Sequence, residues 1–113
     1  MAQIAFSQAM TANQSGLNAA SGWQFEYTPV PARVKVLARA TTTGVRMTIY
    51  AGSDTVQERS SVQGGGTAGT TPSELNTAPV IFFAAANDRL KVIFDEVSGG
   101  TPTVDALLVF DPL

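Results

Sequence analysis

The chain has 113 residues, of which 44% are hydrophobic and 14% are charged, and its formal net charge is −2. This length suits one domain with a single core. The absence of histidine and cysteine excludes sites that need an imidazole or a thiolate, and it leaves no soft ligand for a structural zinc ion.

The N-terminal segment, residues 1–22, predicts one strand followed by a flexible arm. Residues 3–9 alternate, with Ile4 and Phe6 on one side. Residues 10–22 are small and polar, which is typical of a mobile connection. The segment lacks a basic region with a long apolar run, and no stretch of the chain approaches the roughly 20 apolar residues that span a bilayer. We therefore expect synthesis in the cytoplasm and no membrane partner.

A β-domain is predicted over residues 23–113, beginning with a strand at residues 23–27. The clearest alternation covers residues 33–40, where small apolar side chains point to one side. A turn with a positive φ at Gly44 leads into a strand at residues 45–51. We expect these two strands to pair as a hairpin.

The second half of the chain predicts four more strands, at residues 55–62, 80–84, 89–94 and 103–110. The first of these is polar and suits a sheet edge, whereas the second is a continuous apolar run typical of a strand buried on both sides. Between them, residues 63–73 are rich in glycine and threonine and indicate a mobile loop. Asp95 and Glu96 should point to opposite faces and begin a solvated turn.

Seven or eight short strands separated by turns indicate an all-β fold, an antiparallel β-sandwich of jelly-roll-like type. An immunoglobulin-like sandwich and another Greek-key arrangement also suit this pattern. Connectivity does not follow from the strand pattern alone.

No arrangement of residues predicts a catalytic site, a cofactor or a metal site. Gly64-Gly65-Gly66 lacks the Gly-Lys-Ser/Thr that completes a phosphate loop, and no Asp-x-Asp-x-Asp sequence offers a calcium loop. We therefore expect a protein that is not an enzyme. Trp23, Tyr27 and Tyr50 could stack on sugar rings, which makes a carbohydrate-binding domain the alternative function.

The sharpest local signal is a basic stripe on the outward positions of the predicted hairpin, accompanied by outward aliphatic and aromatic side chains. This mixture is typical of a protein interface, and an ordinary solvated face is the competing interpretation. Direct nucleic-acid binding does not fit, because the chain is acidic overall and has few aromatic residues beside the stripe. The candidate interface residues are Arg33, Lys35, Leu37, Arg39, Arg46, Tyr50, Leu107 and Val109.

Four stretches carry a family resemblance: VRMTIYAGSD at residues 45–54, LNTAPV at 75–80, AAANDRL at 84–90 and VDALLV at 104–109. Together they resemble the small β-sandwich virion proteins of tailed bacteriophages that decorate or cement an icosahedral head. The resemblance covers about residues 23–113 and brings no catalytic residues with it.

The resemblance implies a structural virion protein that is made in the host cytoplasm and lies on the capsid surface. Its partner would be the major capsid protein, bound at capsomer joints, and the protein would form a homotrimer. The arm, residues 10–22, would reach onto neighbouring capsid subunits and become ordered there. The alternative is a carbohydrate-binding or receptor-binding domain of a phage fibre or secreted protein.

Overall fold

The computed structural model describes residues 2–24, 26–69, 71–72, 77 and 79–113, and its regular elements in these ranges are all strands. No helix of this described part is long and apolar enough to cross a membrane. In chain order the strands are β1 (Ala2–Ala9), β2 (Leu17–Asn18), β3 (Ala32–Ala40), β4 (Val45–Ala51), β5 (Asp54–Ser61), β6 (Val80–Ala84), β7 (Leu90–Glu96) and β8 (Thr103–Pro112).

The strands form two antiparallel four-stranded sheets. Sheet A has the order β1-β8-β3-β6, and sheet B has the order β2-β7-β4-β5. One hydrophobic cluster draws buried side chains from both sheets, so the sheets pack face to face. The predicted all-β antiparallel sandwich is confirmed.

Alternate residues of the long strands build the core between the sheets. In β3, Val34, Val36 and Ala38 are buried, whereas Arg33 and Lys35 are half-buried on the other side. The predicted inward rows of β4, β7 and β8 are buried as well, which confirms them. In β4 and β8 the outward Thr48, Asp105 and Val109 are also buried. Each large aliphatic side chain buried in this way contributes roughly 1.5–3 kcal/mol.

The predicted hairpin of β3 and β4 is wrong. β3 lies in sheet A between β8 and β6, and β4 lies in sheet B between β7 and β5. The turn between them, in which Gly44 has the expected positive φ of 105°, therefore crosses from one sheet to the other. Alternation along a strand looks the same whether its neighbour in sequence pairs with it or faces it across the core.

The N-terminal segment packs on the sandwich. β1 pairs with β8 over its whole length, and β2 pairs with β7. Met10, Ala19 and Ala20 are buried members of the core cluster. The predicted arm, residues 10–22, thus holds a short strand and part of the core.

Within residues 23–27, the described residues form no strand, contrary to prediction. They contain turns and one isolated bridge between Tyr27 and Arg89, and Phe25 lies outside the described residues. Trp23 is 8% exposed and belongs to the core. Trp23 therefore belongs to the core without belonging to a strand.

β6 is an edge strand, whereas the sequence predicted a strand buried on both sides. It pairs with β3, and no described strand lies along its other edge. Phe82 and Ala84 face the core, but Ile81 is 49% exposed and Phe83 is 67% exposed on the outer face of sheet A. A continuous apolar run predicts burial of both faces, so exposed members of such a run need another explanation.

Candidate interaction surfaces

The basic stripe predicted from the sequence is divided between the two outer faces of the sandwich. Arg33, Lys35 and Arg39 lie on β3 in sheet A, and Arg46 lies on β4 in sheet B. Because the sheets turn their outer faces away from each other, these four cations do not form one surface. The division follows directly from the sheet-crossing turn between β3 and β4.

On the outer face of sheet A, two arginines of β3 lie opposite acids of β8. Arg33 pairs in register with Asp111, and its Nη2 lies 3.3 Å from the Asp111 Oδ2. Arg39 lies in register with Asp105, which is buried. Such cross-strand placement balances the charge of this face and stabilises the β3–β8 pairing.

The aliphatic candidates of sheet A are largely covered. Leu37 is 1% exposed, Val109 is also buried, and Leu107 is half-buried, although all three lie in the outward register. Leu37 and Val109 therefore cannot be exposed contact residues of this chain as it stands. Their outward direction follows from the alternation, but their coverage depends on segments distant in sequence.

The glycine-rich loop after β5 packs against this face. The Gly66 N–H donates to the Ala40 carbonyl at 2.9 Å, and the Gly69 N–H donates to the Asp105 Oδ1 at 3.2 Å. A Cβ built on Gly66 would lie 3.0 Å from the Arg39 Cγ. The sequence predicted a mobile loop over residues 63–73, of which Thr70 and Ser73 lie outside the described residues; residues 63–69 lie against β3 and β8.

The outer face of sheet B carries the remaining candidates. Arg46 donates a hydrogen bond to the Ser61 hydroxyl across the β4–β5 pair. Tyr50 lies opposite Lys91, and both side chains are half-buried. Ile93, two residues further along β7 on the same face, is also half-buried. Arginine, tyrosine and an aliphatic side chain thus share one face, which is the composition enriched at protein interfaces.

The three aromatic candidates for sugar stacking do not form a platform. Trp23 is in the core, and Tyr50 lies on the outer face of sheet B. Tyr27 is exposed, but the Arg89 guanidinium lies 5.7 Å from the centre of its ring. The same guanidinium pairs with Glu26 at 3.0 Å. One face of the Tyr27 ring is therefore occupied by the protein's own cation.

Glu26 is held by its neighbours in this turn. The Gly22 N–H donates to the Glu26 Oε1 at 3.2 Å, and the Arg89 Nε donates to the Oε2 at 3.1 Å. These bonds, the Gly22 contact first, place the pKa of Glu26 below its ordinary value of 4.5. The ionised carboxylate joins the start of β7 to the turn that precedes β3.

Glu96 is buried, whereas the sequence predicted a solvated turn. It is 2% exposed, and its carboxylate accepts hydrogen bonds from the Asn13, Ser98 and Gly99 N–H groups and from the Ser98 hydroxyl. The Ser98 hydroxyl is the main cause of a pKa below the ordinary 4.5. The Ser98-Gly99 pair was the available signal, because such turns offer N–H groups to a preceding carboxylate. This acid is structural, and it joins the turn after β7 to the segment after β1.

A cleft of about 200 Å³ opens between the sheets on the β5–β6 side. Among the described residues, its lining has no titratable side chain: Val36, Ala38, Met47, Gln57, Ser61, Val62, Gln63, Thr77 and Val80. Pockets that hold drug-sized ligands usually measure about 300–1,000 Å³. Within the described part of the chain, no group of three or more acidic residues could hold a metal ion.

Comparison with known proteins gives no relative for this chain. No protein-family model matches it, and no match was found among curated proteins or solved structures.

Proposed function

We propose that this chain is a structural protein of a tailed-bacteriophage particle, which decorates the head by binding the major capsid protein at capsomer joints. The protein would be made in the host cytoplasm and end on the surface of the virion. The sequence resemblance motivates this role. The pairing scheme of the eight strands is the observation that carries it furthest.

The strand pairing supports a jelly-roll topology. The sheets contain the pairs β1–β8, β2–β7, β3–β6 and β4–β5, with alternate pairs in alternate sheets. This strand order is that expected of a jelly roll. A long antiparallel ribbon pairs the first strand with the last, and the ribbon is rolled so that successive pairs lie in opposite sheets. Viral capsid proteins and lectins both use jelly rolls, so the topology leaves two candidate functions.

The aromatic residues favour the capsid role over sugar binding. A lectin site needs an exposed ring whose face is open to the sugar. Trp23 is buried and the Tyr27 ring is covered on one face by Arg89. The carbohydrate-binding alternative therefore rests on Tyr27, which has Arg89 over one face of its ring, and on the half-buried Tyr50, which do not form one platform.

We assign the capsid contact to the outer face of sheet B. Part of the outer face of sheet A is covered by the chain's own glycine-rich loop, which bonds to Asp105 and Ala40. On sheet B, Arg46, Tyr50 and Ile93 share one face without such a cover from this loop. In the homotrimer that the resemblance implies, three linked contacts would resist release, because a contact that opens rebinds while the other two hold the protein in place.

Binding to empty heads tests the proposal. The full chain is incubated with empty heads assembled from the major capsid protein encoded in the same genome, and bound protein is measured after sedimentation. We expect binding that saturates at a fixed number of copies per head. A chain that leaves all heads unoccupied at saturating concentration contradicts the proposal.

A pair of variants tests the assigned face. Arg46→Glu with Tyr50→Ala should weaken head binding at least tenfold, because it removes the interface pair of sheet B. The matched variant, Lys35→Glu with Leu107→Ala, changes sheet A in the same way and should retain binding. Loss of binding in the second pair alone would move the contact to sheet A. The homotrimer implied by the resemblance stays a prediction, and sedimentation of the free protein tests it.

A further inference from the structure

Two of the four edge strands in the described sheets carry a feature that discourages pairing with another chain, and β1 and β6 do not. β5 carries Asp54, Glu58 and Arg59 and has register irregularities against β4. β2 has two residues. Charges, bulges and shortness are the usual ways in which natural sheets blunt an edge. β1 is uncharged, but its outward residues are small or polar.

β6 combines an uncharged edge with exposed apolar side chains. Its five residues, VIFFA, contain no charged or polar side chain. Ile81 and Phe83 are 49% and 67% exposed, and both lie on the outer face of sheet A. An uncharged edge strand with exposed apolar side chains can pair with a further strand from another chain.

The sequence of β6 is suited to pairing with itself. In an antiparallel pair of two copies centred on Phe82, residue 81 of one copy faces residue 83 of the other, so that each Ile81 meets a Phe83. Aliphatic–aromatic cross-strand pairs of this kind stabilise sheets. A two-fold axis makes both contacts at once, as in any isologous dimer.

The surrounding charges permit this arrangement. Arg33 and Lys35 lie opposite Phe83 and Ile81 on β3, one strand inward from the edge. In the paired sheet, three strand spacings, or about 14 Å, would separate them from the same residues of the second copy. This distance exceeds the Debye length of about 8 Å at physiological ionic strength, so their repulsion is screened.

The area available indicates a reversible pair. A large side chain has roughly 200 Å² of surface, so the two exposed fractions leave on the order of 200 Å² per copy. Two copies would bury at most about 400 Å² of apolar side chain, against roughly 1,600 Å² in a standard interface. Backbone hydrogen bonds between the two β6 strands would supply the remaining binding free energy.

We propose that two copies of this chain associate through their β6 strands, antiparallel and centred on Phe82, so that sheet A continues from one copy into the other. The contact is two-fold and so differs from the homotrimer implied by the resemblance. It does not depend on the proposed function, because head binding was assigned to sheet B.

Sedimentation velocity of the full chain over a range of concentrations tests the pairing. We expect a monomer–dimer equilibrium in which Ile81→Lys and Phe83→Glu, each alone, weaken dimerisation at least tenfold. Both positions are exposed, so the variants should keep the circular dichroism spectrum of the wild type. If either loses it, Phe83→Thr replaces that variant, and the same weakening is expected. Val97→Lys, at an exposed position after β7, is the matched control and should dimerise normally.

Mixing the two charged variants tests the register. In the proposed pairing, the introduced ammonium of one variant faces the introduced carboxylate of the other, and the second contact stays apolar. An equal mixture should therefore contain more dimer than either variant forms alone at the same total concentration. A wild type that stays monomeric or forms trimers, dimers indifferent to both substitutions, or a mixture without recovery would each overturn the proposal.

Discussion

Glu96 ties together two parts of the chain that are far apart in sequence. Its carboxylate accepts from the Asn13 N–H at 3.3 Å and from the Ser98 and Gly99 N–H groups at 2.6 and 3.0 Å. The Glu96 N–H also donates to the Gln14 carbonyl at 2.7 Å. One acid thereby closes the turn after β7 and holds the segment after β1 against it.

We expect Glu96→Gln to lower the urea midpoint at neutral pH, because the amide nitrogen cannot accept the hydrogen bonds that the carboxylate oxygen accepts. The Ser98 hydrogen bond holds the folded pKa of Glu96 below 4.5, so its contribution to stability is present above 4.5 and is lost as the pH falls through the folded pKa. The gap between wild type and variant should shrink in this acidic range. Urea unfolding from neutral to acidic pH measures it.

Glu58→Gln is the matched control, since it removes the same charge from an exposed position of β5. It should leave the urea midpoint at neutral pH close to that of the wild type. A gap for Glu96→Gln that stays constant throughout the acidic range would show that the carboxyl has the same pKa in the folded and the unfolded protein, and so contradict the stabilisation of its ionised form.

At the scale of elements, the glycine-rich loop is shaped by close approach to the turn between β3 and β4. A Cβ built on Gly64 would lie 2.9 Å from the backbone of Thr42 and Thr43, a distance that real side chains do not tolerate. The loop is therefore glycine-rich here because backbone meets backbone. Composition alone suggests mobility, but the same composition also permits tight packing.

We expect Gly64→Ala to destabilise the protein by about 1–3 kcal/mol, since the added methyl group must displace backbone. Gly100→Ala is the control, because its Cβ would meet the Ser98 Oγ at an ordinary 3.4 Å. Thermal unfolding of both variants measures the difference. Equal effects at the two positions would mean that the loop does not approach the β3–β4 turn as described.

At the scale of the whole molecule, the N-terminal strand is part of the sandwich. β1 pairs with β8 from Ala2↔Phe110 to Ala9↔Thr103, and Ile4 and Phe6 pack against the core. The Phe6 and Phe94 rings stack at 6.2 Å across the two sheets. The division at residue 22 that the sequence suggested therefore crosses a continuous core.

A chain of residues 23–113 should fail to fold, because removal of β1 and β2 exposes the core faces of β8 and β7. Circular dichroism and amide dispersion in a proton NMR spectrum would report the loss. Removal of Leu113, which is 79% exposed, is the control and should be tolerated. A cooperative unfolding transition in the 23–113 fragment would restore the predicted boundary.

Much of the fold could be predicted from alternation. Residues one and two apart in the sequence predict the inward rows of β3, β4, β7 and β8 and the polar edge strand β5. The candidate interface could be predicted only in part. Its residues were assigned outward correctly, yet Leu37 and Val109 are buried, and Arg46 lies on the opposite face from Arg33. Whether an outward side chain is covered, and to which sheet its strand belongs, depend on pairing between distant segments. Local periodicity does not predict that pairing.

The sequence by itself determined the class of this protein: short alternating strands with turns, one core, and no imidazole or thiolate with which to catalyse. These properties depend on side-chain type and on neighbours in the chain. Tertiary structure alone decided that β3 and β4 face each other across the core, that Glu96 is buried and that Ile81 and Phe83 are left exposed on an edge. Each of these depends on which distant strand lies alongside, because a strand's hydrogen bonds and one of its faces are completed by another part of the chain.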